Sequence, residues 1–418
     1  MPGKRIYYIP PRMAGSIEGW KNLADHAVSL GFNAVWISPF QATTGISFPD
    51  DAGAIKSGSL YAVRDHFSVD EEFAAAEAAA GESLRAFCYH AHGLGLRVFG
   101  DLVFNHVARD HALVKEEDEK IARLIGHCGA ENIIPLRAAS GALIGISYPN
   151  GSAREEMFFK FRRSERLVAQ CAFGTEGYDT AQINFDSPEA VAFFLIGQGG
   201  ERGYYKKVID WFFDHGFDSF RCDIAYRLPP GWWREIISYA RQQKPDTVFM
   251  AETLGASGEA LNQMAKIGID NGFDLGMLST HWWNMQESWL ANEEIPCIEN
   301  MSKFGGTGSP DNHDTPDTLA GGLAKLFNGL ATKDLAIAAA CIRDYAVATF
   351  VANSVYMQMG YEYCNEKQSG VFRDAPTPQD WERLKSARGG LHLLNISRQI
   401  SEINKLKESL GVENCRVN

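Results

Sequence analysis

The chain has 418 residues, 45% of them hydrophobic and 22% charged, and carries a formal net charge of −12 from 40 Lys and Arg against 52 Asp and Glu. That length is too great for one minimal core and suits a large α/β barrel with one sizeable insertion. The acidic balance makes nucleic acid and anionic membrane poor partners and favours a neutral substrate.

Residues 1–10 run straight into a strand pattern with no apolar leader core, and the longest apolar stretch, 190–197, is far too short to span a bilayer. Eight cysteines lack CxxC or metal-ligand spacing. Together these predict a cytoplasmic protein whose thiols are reduced and mostly packed.

Short β-branched or aromatic runs alternate with helical patterns along the whole chain, which argues for a parallel sheet. The first strand covers 5–9 and a helix follows over 17–30. A second strand with its closing turn covers 31–39. A Gly-rich loop then leads to a helix over 82–94, with the alanine run 73–80 adding a helical turn or two inside that loop. The third strand is 96–103. From 107 to 186 the chain is charged, Gly-studded and short-stranded, and fragments such as 156–161 read as small antiparallel strands. The alternation returns with a helix over 204–215, a strand at 217–221, a helix after Pro230 and a strand at 247–251. Weaker strands follow at 272–275 and 303–308, then a helix at 334–351, an eighth strand at 354–359 and one long helix over 379–410. Eight strand-helix units predict a (β/α)₈ TIM barrel rather than an open doubly wound sheet. The barrel would take residues 1–106 and 187–418, with 107–186 inserted after the third strand.

Four acidic motifs occur in order: Asp101-Leu-Val-Phe-Asn105-His106, Phe220-Arg221-Cys-Asp223, Ala251-Glu252-Thr253 and Asp311-Asn312-His313-Asp314. Each follows an apolar or β-prone run, so each carboxylate falls where a strand ends and a loop begins, the place where a barrel enzyme keeps its chemistry. A lone acid there is usually a helix cap or a solvated loop residue; four, with an Arg two residues before one Asp and Asn-His beside two others, are hard to read as caps. Cleaving a glycosidic bond with retention needs two carboxyl groups about 5 Å apart. Asp223 and Glu252 end adjacent predicted strands and can be held that way. Arg221 shares a strand face with Asp223 and would keep it ionised, while Cys222 points the other way and packs. A partly desolvated Glu252 would keep its proton and act as the general acid. Asp314 can place a negative charge near the oxocarbenium-like transition state. His106 and His313 would donate to sugar hydroxyls, against the ordinary reading of satisfied loop histidines. Asp101 is better suited to orient Arg221 or a histidine than to react.

These segments resemble the four signature regions of the α-amylase family, glycoside hydrolase family 13. The segment 31–39 resembles its second strand, Ser59-Leu-Tyr61-Ala-Val-Arg-Asp65 its substrate-stacking Tyr and nearby Asp, and 182–188 the segment closing its insertion. The resemblance spans residues 5–365. It implies Asp223 as nucleophile, Glu252 as acid/base and Asp314 as transition-state stabiliser, with Tyr61, Asp65, Asp101, His106, Arg221 and His313 around the sugar. The insertion is then domain B, walling one side of the cleft.

Departures from the family pattern matter. The residues after the eighth strand leave no room for the C-terminal β-sandwich of many members. Ala225-Tyr226-Arg227 stands where several amylases have Lys-His after the nucleophile, which argues against long-chain endo action. No cofactor is required by this chemistry; Asn105 stands at a position that holds calcium in part of the family, with loop capping as the other reading. Trp232 and Trp233 read as helix packing, and Trp282 and Trp283 as packing or sugar platforms. The expected function is retaining hydrolysis or transglycosylation of an α-glucoside or oligosaccharide. The alternatives are a glucan transferase of maltosyltransferase or phosphorylase type and an inactive amylase-like binding module. Acceptor, linkage and oligomeric state are left open.

Overall fold

A computed structural model describes residues 3–49, 55–74, 77–115, 127–129, 134–137, 143–147, 158–160, 167–170, 179–254, 272–278, 305–314 and 317–411. Eight parallel strands close into a barrel: β1 (Arg5–Ile9), β2 (Ala34–Ile37), β3 (Arg97–Leu102), β4 (Ser219–Cys222), β5 (Val248–Ala251), β6 (Leu275–Met277), β7 (Gly306–Gly308) and β8 (Ser354–Gln358). Each pairs with its sequence neighbour, and β8 closes on β1 with Arg5 opposite Val355. The predicted eight-stranded (β/α)₈ order is therefore the observed one.

Strand alternation divides the core into two layers. Ile6, Tyr8, Ala34, Trp36, Phe99, Val248, Met250 and Tyr356 fill the barrel interior. Their alternates, among them Tyr7, Ile9, Val35, Ile37, Val98, Phe220 and Cys222, face the helices. Helix α1 (Trp20–Ser29) buries Trp20, Leu23, Ala24 and Ala27, spaced i, i+3, i+4 and i+7, as one apolar stripe demands. After α2 (Glu77–Gly93), α3 (Tyr204–Asp214) repeats that spacing with Tyr205, Val208, Ile209 and Phe212. Helix α4 (Pro230–Gln243) buries Trp232 and Trp233 against Tyr205, Phe104 and Phe273, so these two are packing residues. Helices α5 (Leu319–Leu326) and α6 (Lys333–Phe350) flank β7 and β8.

Two expectations change. The alanine run supplies the first turn of α2 itself, which starts at Glu77 rather than at 82. The single terminal helix is two, α7 (Pro378–Arg388) and α8 (Ser397–Leu410). Gly389 leaves α7 extended and Gly390 takes φ +63°, a left-handed step that ends the helical path. Trp282 and Trp283 lie outside the described residues.

Between β3 and β4 the described strands pair antiparallel. His106–Ala108 pairs with Thr180–Gln182, Ile134–Arg137 with Leu143–Ser147, and Leu167–Gln170 with both Phe158–Lys160 and His127–Gly129. The first of these pairs ties the chain leaving β3 to the chain returning toward β4. The thiols of Cys88, Cys222, Cys341 and Cys364 are free and buried.

Candidate active site

The C-terminal ends of β3, β4 and β5 bring Asp101, Arg221, Asp223 and Glu252 together. In register, Arg221 lies opposite Asp101 on one side and Met250 on the other. Asp223 and Glu252 are each the residue following their strand. The fully buried Arg221 guanidinium is the hub: Nη1 donates to Asp101 Oδ1 at 2.9 Å and to Asp223 Oδ1 at 2.7 Å, and Nη2 lies 2.6 Å from Glu252 Oε2. That last approach is an ion-pair contact without the alignment of a hydrogen bond.

Three buried carboxylates around one cation cannot all ionise cheaply. Burial is the dominant influence on each, pushing Asp101 up to about 6, Asp223 to about 7 and Glu252 to about 8, with Arg221 opposing in every case. Glu252 is thus the member that holds a proton longest. Asp223 has one oxygen pinned by Arg221, while its Oδ2 is buried and has no hydrogen-bond partner among the described residues.

Aromatic rings surround the hub. The Arg221 Cζ lies 5.2 Å from the ring centres of both Trp36 and Tyr61. Asp101 Oδ2 accepts from Trp36 Nε1 at 3.2 Å and from the Tyr61 hydroxyl at 3.1 Å, so Asp101 is held by three donors and orients rather than reacts. Tyr61 stacks on His313 with ring centres 5.3 Å apart and planes at 13°. Burial lowers the His313 pKa, and its Nδ1 has no hydrogen-bond partner among the described residues.

The remaining candidates sit differently. Asp314 is at the rim, its side chain 55% exposed and 3.4 Å from His313 Nε2, where its charge adds to the upward push on Asp223 and Glu252. His106 is buried beneath Tyr61: its Nε2 faces the Tyr61 carbonyl at 3.0 Å and, as the only donor of that pair, carries the proton. It supports the Tyr61 backbone. Asp65 is not brought to this group, because its carboxylate accepts from Phe67 N–H and the Ser68 hydroxyl in a local turn. Asn105 Oδ1 accepts from Gln182 Nε2 at 3.1 Å, and its Nδ2 faces His106 Nδ1 at 3.3 Å. Among the described residues no cluster of three His, Cys, Asp or Glu collects.

Sequence reasoning missed Trp36 and Tyr8. The signal was available in strand alternation, which places Tyr8 opposite Trp36 on the barrel interior, and the two rings stack at 4.2 Å.

Residues 10–124 match the family model described as "Alpha amylase, catalytic domain". The chain is 23% identical over 288 residues to an alpha-1,4-glucan:maltose-1-phosphate maltosyltransferase of Burkholderia pseudomallei, covering 69% of this chain and 20% of that protein. It is 22% identical over 246 residues to a cyclomaltodextrinase of a Bacillus species, covering 57% and 33%. The chain thus spans about a fifth to a third of the length of these curated relatives. Among solved structures, Eubacterium rectale Amy13B superposes with a TM-score of 0.64 at 13% identity, covering 96% of this chain and 80% of that one. The cyclic alpha-maltosyl-(1→6)-maltose hydrolase of Arthrobacter globiformis gives 0.62 at 16%, covering 98% and 84%.

Proposed function

We propose that this chain, whose residues 10–124 match the alpha-amylase catalytic-domain model, is a glycosidase or transglycosylase that cleaves α-linked glucosides with retention, through a covalent glycosyl intermediate on Asp223. One observation carries the reading: a carboxylate with one oxygen fixed by Arg221 and the other without a hydrogen-bond partner among the described residues stands beside a second carboxyl that keeps its proton to higher pH. Two carboxyl groups on one guanidinium suit the short separation of retaining enzymes, about 5–5.5 Å, better than the wider spacing that admits a water for inversion.

In the first step Asp223 Oδ2 attacks the anomeric carbon while Glu252 gives its proton to the departing oxygen. In the second, Glu252 takes a proton from the incoming acceptor as the glycosyl–Asp223 bond breaks. Asp314 supplies negative charge at the rim as the ring becomes oxocarbenium-like, and Tyr61 and His313 bound the sugar. Buried free thiols agree with a cytoplasmic setting, and no helix among the described residues is long and apolar enough to cross a membrane.

Transfer is a second reading, favoured by relatives named as maltosyltransferases; only the acceptor differs. Incubation with maltose, maltooligosaccharides, sucrose and trehalose, with and without phosphate, separates these outcomes. Glucose alone means hydrolysis, longer chains transfer, and a sugar phosphate phosphorolysis. Asp223→Asn is expected to lower kcat by at least about a thousandfold. Unchanged turnover of every α-glucoside by that variant would refute the mechanism.

A further inference from the structure

Glu252 is held asymmetrically. Its Oε2 accepts the Ile224 N–H at 2.7 Å and lies 2.6 Å from Arg221 Nη2, whereas its Oε1 has no hydrogen bond among the described residues. An oxygen that already faces two donors cannot also carry a proton without setting hydrogens against each other. We infer that the transferable proton of Glu252 resides on Oε1, and that Ile224 is the positioning residue that fixes it there.

The backbone of Ile224 supports this assignment. It is 5% exposed and adopts φ +33° and ψ +51°, a left-handed conformation that is costly for a β-branched residue. Among the described residues only Cys364 is another non-glycine with positive φ. Strain of this kind persists where the surroundings over-determine it. Here the surroundings are visible: Asp223 N–H donates to Leu102 O at 3.0 Å, Arg227 N–H closes on Ile224 O at 2.9 Å, and the buried Trp233 indole donates to Ala225 O at 2.9 Å. The left-handed step lets the Asp223–Ile224 peptide face Glu252 while the chain turns back at once to meet Trp233. The residue after the nucleophile thus sets the orientation of the acid, coupling two carboxyl groups that come from different strands.

The inference takes Glu252 as the proton donor, and so rests on the function proposed above. Its first test does not need turnover. In the wild-type chain the Ile224 amide proton should titrate with the same midpoint as the ¹³C-labelled Glu252 carboxyl, and Glu252→Gln should abolish that titration. A flat amide shift, or one that survives Glu252→Gln, overturns the assignment.

The second test is kinetic. Replacing the isoleucine at 224 by its α-hydroxy acid exchanges the N–H for an ester oxygen without fixing φ, and should raise the Glu252 pKa by about one unit, a tenfold change, because the carboxylate loses a donor. The basic limb of kcat/KM should move to higher pH. Hydrolysis of unactivated glucosides should slow at least about tenfold, while α-glucosyl fluoride, whose leaving group needs less acid help, should react nearly as before. Ile224→Asn tolerates the left-handed region and keeps the N–H, so it should restore the wild-type limb. Equal losses on both substrates with an unmoved limb would make Ile224 a merely structural residue. If the ester-containing chain does not fold, the amide titration decides alone. A wild-type chain that turns over no α-glucoside refutes the proposed function while the amide titration still judges the geometry.

Discussion

Arg221 sets the charge of the whole site, since Asp101, Asp223 and Glu252 all lean on its single positive charge. With Asp223 ionising near 7 and Glu252 near 8, the proposed mechanism makes kcat/KM bell-shaped with its maximum between those values, as macroscopic constants of the pair. Replacing Arg221 by Met removes the influence that lowers both. The acidic limb should then shift upward by more than one unit, and breaking the buried ion pairs should cost about 3–5 kcal/mol in urea unfolding. An unmoved limb in the folded variant would refute the assignment of Asp223 to that limb. Most of the hub was legible in the sequence because carboxylates that end strands stand out against apolar runs. Asp65 was not, since a local turn with Phe67 and Ser68 competes for its carboxylate in a way that spacing does not reveal. The left-handed Ile224 was equally hidden, because nothing in an isoleucine announces positive φ.

At the scale of elements, strong amphipathic helices and the longer strands followed from periodicity, while β6 and β7 are only three residues each and left little pattern to read. Glycine explains part of this. A Cβ on Gly308 would lie 2.3 Å from the Ala348 carbonyl oxygen, so β7 uses glycine to let α6 approach. Gly308→Ala should therefore destabilise the fold by about 1–3 kcal/mol, through overpacking against backbone that cannot yield. A denaturation midpoint equal to wild type would contradict that close approach. The break between α7 and α8 was legible in principle. The Gly389-Gly390 pair is a turn signal, but similar polar patterns on both sides mask it. Lys407 ties the second of these helices to the barrel's helical layer by donating to the Thr349 and Ala352 carbonyls at the end of α6.

Across the molecule, buried acids and buried histidines pull stability in opposite directions with pH. Burial holds His66 and His106 near 4, so their contribution is present above the unfolded value of about 6.5 and is lost as pH falls through 4. Asp223 and Glu252 are raised instead. Their contribution is complete below about 4 and is lost as pH rises through about 7 and 8. Above about pH 7 the histidines are neutral in both states, leaving the carboxylates to set the slope. The Tm should accordingly decline between pH 7 and about 8.5, and Glu252→Gln should flatten that decline. A slope unchanged in Glu252→Gln would remove Glu252 from the account.

The indole of Trp36 donates to Asp101 and its ring lies against Arg221. It is therefore a built-in optical sensor of the cluster. Subtracting the emission of a Trp36→Phe variant from that of the wild type should isolate a signal that changes as Asp101 and Glu252 titrate, between about pH 6 and pH 8, and that responds when a sugar enters. A difference spectrum independent of pH would show that the indole does not sense those charges. With such a signal the protein can be screened against unlabelled carbohydrates by light alone, before any product is known.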